Sequence, residues 1–170
     1  MRLELGVLTV AVALVVVACA EKRTEVKPAL PPSAPVLAKV PPLPADAPVV
    51  VVDDLEGEGI PDLARYTVHL AQGAAQSGRA QVVVRSEIAA QMKACTEVEC
   101  QQRVGAPLVA ARYVVHGSAN KLGDSYLVQV KLLQPGSASV LARVNRQGSG
   151  DLAALLFEAG REVGAAVPAR

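Results

Sequence analysis

The chain has 170 residues, and its 17 lysines and arginines nearly balance 16 aspartates and glutamates, for a formal net charge of +1. Without a long block of one sign, neither a nucleic-acid partner nor an anionic lipid surface is suggested. With one Phe, three Tyr and no Trp, the interior must be built from Val, Leu, Ile and Ala, which suits a tight α/β sandwich better than a pocket for a large planar cofactor.

Residues 5–18, LGVLTVAVALVVVA, run for 14 positions without a charge. A helix needs about 20 apolar residues to cross a bilayer, so this run has the length of a signal-peptide core. Arg2 gives it a weakly positive start, which Glu4 reduces. The run ends on Val16-Val17-Ala18-Cys19, and that stretch resembles the lipobox of bacterial lipoproteins. The resemblance implies cleavage of residues 1–18, a diacylglycerol on the Cys19 thiol and acylation of the new amino terminus. Each buried acyl methylene contributes about 0.8 kcal/mol and a single chain holds only marginally, so several chains on Cys19 anchor the protein to a membrane without a spanning helix. The alternative is a buried cysteine closing an ordinary signal or anchor. Ala20, in place of an aspartate, implies by the sorting rule of such lipoproteins an outer-membrane location with the rest of the chain in the periplasm.

Residues 19–48 read as a tether. Prolines stand at 28, 31, 32, 35, 41, 42, 44 and 48 with no aromatic residue among them; each removes an amide donor and fixes φ, which favours extended polyproline-like conformations over helix or sheet. At ~3.1 Å per residue such a segment reaches on the order of 90 Å. The stretches PPSAP and PPLP leave recognition by a proline-binding domain as the other reading.

Residues 49–170 suffice for one domain. PVVVVD at 48–53 is a β-branched run closed by an acidic, glycine-rich turn, the pattern of a buried strand. Ile60-Pro61 opens a helix whose apolar positions Leu63, Thr67, Leu70, Ala71 and Ala74 lead to a stop at Gly78. RAQVVV at 79–84 is a second strand, and Ser86 is placed to cap a short helix, SEIAAQMKA. A further helix covers 104–110 with a bend near Pro107. The stretch 111–145 reads as three strands in a meander, with turns at Leu122-Gly123-Asp124 and Pro135-Gly136-Ser137. In its middle strand Tyr126, Val128, Val130 and Leu132 alternate with Leu127, Gln129, Lys131 and Leu133, giving one apolar and one partly wet face. Leu152, Leu155, Leu156, Ala159 and Val163 recur at helical spacing and can cover a sheet face. The fold class is thus α/β, a small mixed sheet flanked by helices in the order β-α-β-α-α-β-β-β-α.

Cys95 and Cys100 lie in KACTEVECQQ, and an exported chain meets an oxidising compartment. On one continuous helix their α-carbons would be ~8–9 Å apart, beyond the ~7 Å limit for a disulfide. Thr96-x-x-Glu99 is a capping-box pattern that starts a new helix at Glu97 and brings the two cysteines together at staple positions. A disulfide is expected there, with a reduced, packed pair as the alternative. Cys19 then leaves the thiol pool to lipid, and the odd count of three cysteines resolves.

The stretches VVVDDLEGEGIPDLARY, GRAQVVVRSEIAAQM and ARYVVHGSANKLGDSYLVQVKLLQPGSASVLAR resemble, in pattern and turn placement, the periplasmic domains shared by the amino-terminal part of TolB, the curli-secretion lipoprotein CsgG, the flagellar protein FlgO and the penicillin-binding-protein activator LpoB. The resemblance spans residues 49–166, and LpoB also shares the sequence lipobox, proline-rich tether, one domain. It implies a protein partner in the envelope, with a peptidoglycan synthase as the partner under the LpoB likeness. The CsgG and FlgO likeness implies instead a subunit or accessory factor of a secretion or flagellar assembly, with self-association into a ring.

No catalytic constellation is legible. His116 in YVVHGS reads as a structural sheet residue and His69 as a surface or boundary residue of the first helix. The two histidines and two cysteines lack metal-finger spacing. Asp54, Glu56, Glu58 and Gly59 imitate a calcium loop, but its twelfth position is Arg65 where a bidentate glutamate is needed; a solvated turn is expected. Gly57-x-Gly59 is followed by no Lys-Ser/Thr pair and no third glycine. The chain is therefore expected to be a non-enzymatic binding module with no cofactor and no metal.

Overall fold

The computed structural model describes residues 43–44, 46–137 and 139–168. Cys19 and the stretches read as signal peptide and most of the tether lie outside the described residues.

Five strands form one sheet: β1 (Val49–Val52), β2 (Gln81–Val84), β3 (Ala111–Leu122), β4 (Ser125–Gln134) and β5 (Ser139–Ser149), in the order β2-β1-β3-β4-β5. β1 runs parallel to both its neighbours, and β3, β4 and β5 form the antiparallel meander. The helices are α1 (Thr67–Ala75), α2 (Arg85–Ala94), α3 (Val98–Val109) and α4 (Leu152–Ala165), with a 3-10 turn at Leu63–Tyr66 leading into α1. The order of elements is the one expected from the sequence.

One sheet face is closed by α1 and α4. Side-chain alternation turns Val50, Val52, Val115, Ala119, Val128, Val130, Leu132 and Val144 toward Leu70 of α1 and Leu156, Ala159 and Val163 of α4, all buried. Aliphatic residues fill the fully buried part of this layer, and Tyr66, Tyr113 and Tyr126 pack partly buried against it. The two helices approach backbone to backbone: a Cβ on Gly73 would stand 2.0 Å from the Phe157 carbonyl oxygen, and one on Gly160 2.1 Å from that of Leu70. Asp151 caps α4, its carboxylate accepting from the Ala153 amide at 2.9 Å.

The other face is covered only at its β1 end. Val51, turned opposite to Val50 and Val52, is buried, and α3 packs on β1 while α2 packs on β2 and α3. Beyond β1 the alternation leaves Gln129, Lys131, Arg143 and Asn145 exposed.

Local signals depart from the sequence reading at four places. Ser86 does not cap α2: Val84 is the N-cap with no side-chain bond, and the Ser86 hydroxyl donates to Asp54 Oδ1 at 2.6 Å. A tertiary bond to the β1 exit has taken the hydroxyl away from its own helix. Thr96 and Glu99 form no capping box either; Glu97 is the N-cap of α3, again with no side-chain bond. The first helix begins not at Ile60-Pro61 but at Leu63, after Asp62 with φ 51°, a left-handed residue that resets the chain direction. The acidic stretch after β1 is more than a solvated turn. Glu56 bridges Ser118, the amides of Glu56 and Ala119 bond to Gly117 and Glu56 oxygens, and Glu58 N donates to Asn120 Oδ1 at 3.0 Å. Asp54, Glu56 and Glu58 are exposed while the backbone of the stretch is laced to β3. Gly57 permits this, with φ 153° and a position where a Cβ would meet the Ala119 oxygen at 1.8 Å.

Candidate interaction face

Pairing register sets the chemistry of the uncovered face. Val114 pairs with Leu133 and Leu133 with Val140, while His116 pairs with Lys131 and Lys131 with Arg143. The first set is an apolar row across three strands and the second a basic row beside it, because paired residues lie on the same face. The three strands contain no aspartate or glutamate.

The basic row continues to a carboxylate at the β1 end. Asp53, just past β1, accepts from Arg85 Nε at 2.5 Å and lies 3.0 Å from His116 Nδ1, and its own side chain is only 17% exposed. Asp53 therefore ties the start of α2 to β3 through Arg85 and His116, which lies in the middle of an interior strand. Among the described residues neither Lys131 nor Arg143 has an ion-pair partner; Arg146, on the opposite face, is held by Glu162 at 2.7 Å.

Hollows lie between α2 and α3 and along the apolar row. The largest, of about 640 Å³, is lined by Met92 of α2 and by Val98, Gly105, Leu108, Val109 and Ala110 at α3. The next, of about 280 Å³, begins at Ala111 and takes in Arg112, Gln134 and Pro135. A third, of about 320 Å³, shares Gln134 and Pro135 and includes Val114, His116 and Leu133. Val109 is 90% exposed and Val98 63%, and Val140 and Leu141 are also large exposed apolar residues. Val98 and Val109 line the hollow at α2 and α3, Val140 ends the apolar row, and Leu122 at the far end of β3 is 55% exposed as well.

The α2–α3 pair that carries Val98 and Val109 is cross-linked at its turn. The structure has Cys95 and Cys100 bonded, with Cα atoms 5.6 Å apart, and Gln101 Nε2 donates to the Cys95 oxygen. The chain breaks between the helices at Cys95, whose backbone is extended, so the cysteines do not sit on one straight helix.

His69 on α1 stands apart from this face, with its ring 6.2 Å from that of Tyr66 and a buried Nδ1 that has no partner among the described residues. Among the described residues no group of three or more His, Cys, Asp or Glu is placed to hold a metal ion, and no helix is long and apolar enough to cross a membrane.

Val98, Val109, Lys131, Arg143 and the Asp53–Arg85 pair are not legible as a site in the sequence. Apolar residues at 104–110 read as helix interior, since exposure is decided by what α3 fails to pack against. One signal was present: between positions 111 and 149 the only carboxylate is Asp124, in a turn.

No protein-family model and no curated protein matches the chain. Several solved structures do. The PelC dodecamer from Paraburkholderia phytofirmans is 19% identical, with 76% of this chain and 94% of that chain covered and a TM-score of 0.49. The LpoB C-terminal domain from Escherichia coli is 18% identical over 61% of this chain and 84% of that one, TM-score 0.45. TolB from Acinetobacter baumannii is 17% identical over 74% of this chain and 28% of that one, TM-score 0.43. LpoB and TolB are among the proteins whose sequence pattern the chain resembles. These likenesses concern layout; the face described above belongs to this chain.

Proposed function

We propose that the chain is a lipid-anchored docking protein of the bacterial envelope. Acyl chains on Cys19 hold it at the outer membrane, residues 19–48 act as a tether into the periplasm, and the domain at 49–170 binds a protein partner through the uncovered face. The observation that carries this reading is the exposure of Val98 and Val109 at the α2–α3 hollow and of Val140 on the sheet face that carries Lys131 and Arg143, two cations with no ion-pair partner among the described residues. Exposed apolar patches with a polar border are the usual mark of protein contact sites. No catalytic step, cofactor or metal enters the reading. The disulfide Cys95–Cys100 serves it by fixing the hairpin that presents Val98 and Val109.

The sequence resemblance to LpoB points to a peptidoglycan synthase, stimulated by docking, as the partner. Crosslinking of the tagged full chain in intact cells, followed by mass spectrometry, tests this. Capture of a peptidoglycan synthase supports the activator reading. Ladders of the chain itself, or capture of secretion or flagellar components, assign it to an envelope assembly instead.

A further inference from the structure

We infer that β5 is an edge onto which the partner adds an extended segment as a further strand, one in which carboxylates alternate with apolar side chains. This rests on the docking reading and specifies how the contact is made.

The sheet ends in β2 on one side and β5 on the other. β2 has four residues and leads directly into α2. β5 has eleven, is paired among the described residues only with β4, and contains no proline in SVLARVNRQGS. A long edge strand presents a row of unpaired amides and carbonyls, and proteins normally shorten, cover or blunt such edges. Here the blunting consists of a register shift that leaves Leu141 unpaired between Val140 and Ala142, together with two arginines. Arg146 is already neutralised by Glu162, so among the described residues Arg143 is the β5 cation without an ion-pair partner.

Charge decides which strand fits. Antiparallel pairing of two β5 strands centred on Arg143 or Val144 sets the two Arg143 side chains opposite or diagonal to each other, with Lys131 one strand inward, an arrangement of like charges that disfavours a second copy. An incoming carboxylate opposite Arg143 has that guanidinium and Lys131 as partners and no carboxylate on β3, β4 or β5 to repel it. Successive same-face positions of the added strand are two residues apart, so the carboxylates share the Arg143 face and the apolar residues between them fall on the other face, beside Ala142 and Val144. Backbone bonds supply affinity and the alternating side chains supply selectivity, the usual division in strand addition.

The test uses the full chain in detergent and fluorescence anisotropy of labelled eleven-residue peptides, matching β5 in length. The probes are a Glu/Val alternating peptide, its Lys/Val counterpart, and a Glu/Val peptide methylated at every backbone nitrogen. The expected result is saturable binding of the Glu/Val peptide at least about tenfold tighter than Lys/Val, a preference lost in Arg143→Gln and reversed in Arg143→Glu. The N-methylated peptide is expected not to bind, since it cannot donate to the edge. Equal binding of the two charge forms, unimpaired binding of the N-methylated peptide, binding unaffected in both Arg143 variants, or no binding at all overturns the inference. Concentration-dependent dimerisation of the full chain that blocks the Glu/Val peptide overturns it in favour of a second copy. In-cell crosslinks from Val109 report docking however it is made, so their persistence after a failed peptide test removes strand addition alone.

Discussion

His116 Nδ1 lies 3.0 Å from Asp53 Oδ2, while Arg85 Nε reaches the other carboxylate oxygen of Asp53 at 2.5 Å. One mostly buried carboxylate thereby holds the exit of β1, the start of α2 and the middle of β3. Arg85 and His116 are about half exposed, so solvent screens both contacts and each contributes modestly. Asp53→Ala is expected to cost about 1–2 kcal/mol, because it leaves two donors without their acceptor. His116→Ala, which removes one exposed partner, is expected to cost less than half as much. Urea denaturation of the two variants checks the ranking; equal costs would contradict it.

The α1–α4 contact is the least forgiving part of the core. A methyl on Gly160 meets the Leu70 oxygen and the Ala74 nitrogen, backbone atoms that cannot rotate away. Gly160→Ala is expected to destabilise by about 2–3 kcal/mol through separation of the helices. An unchanged denaturation midpoint would show that α1 and α4 can part without loss.

Reduction of Cys95–Cys100 is expected to act locally. For a loop of about six residues the chain-entropy estimate is roughly 2 kcal/mol, and the double variant Cys95→Ser, Cys100→Ser should lose about that much. Amide exchange should rise in α2 and α3 and stay unchanged in α4. Protection lost evenly over the whole domain would contradict a local role.

Cys19→Ser is expected to release the protein from membranes without altering its domain. Cell fractionation with circular dichroism of the released protein checks this, and full membrane retention would remove the lipid anchor from the account.

Most of the fold was legible because its determinants are local and periodic. The valine run of β1, the alternation of Val128, Val130 and Leu132 and the spacing of Leu152, Leu156, Ala159 and Val163 bury the side chains that the pattern selects, with Tyr126 partly buried at the end of its row. Caps were less legible, since a hydroxyl such as that of Ser86 serves its own helix only when no better partner is near, and Asp54 is near. The close helix approach carried a signal in Gly160-x-x-x-Gly164, two glycines on one face of α4. The candidate face was hidden for a different reason. Val109 looks like core until it is known that nothing in the described chain packs on it, and the row His116, Lys131, Arg143 exists only once three strands are in register.

The most direct test of docking through this face is a photo-reactive amino acid placed in the full chain in living cells, at Val109 in one strain and at Arg161 on the outer side of α4 in another. Adducts to a distinct partner protein from Val109, absent from Arg161 and weakened when Lys131 and Arg143 are both changed to Glu, are the predicted result. Adducts from Arg161 alone, or a Val109 pattern indifferent to the two charge reversals, would contradict the account.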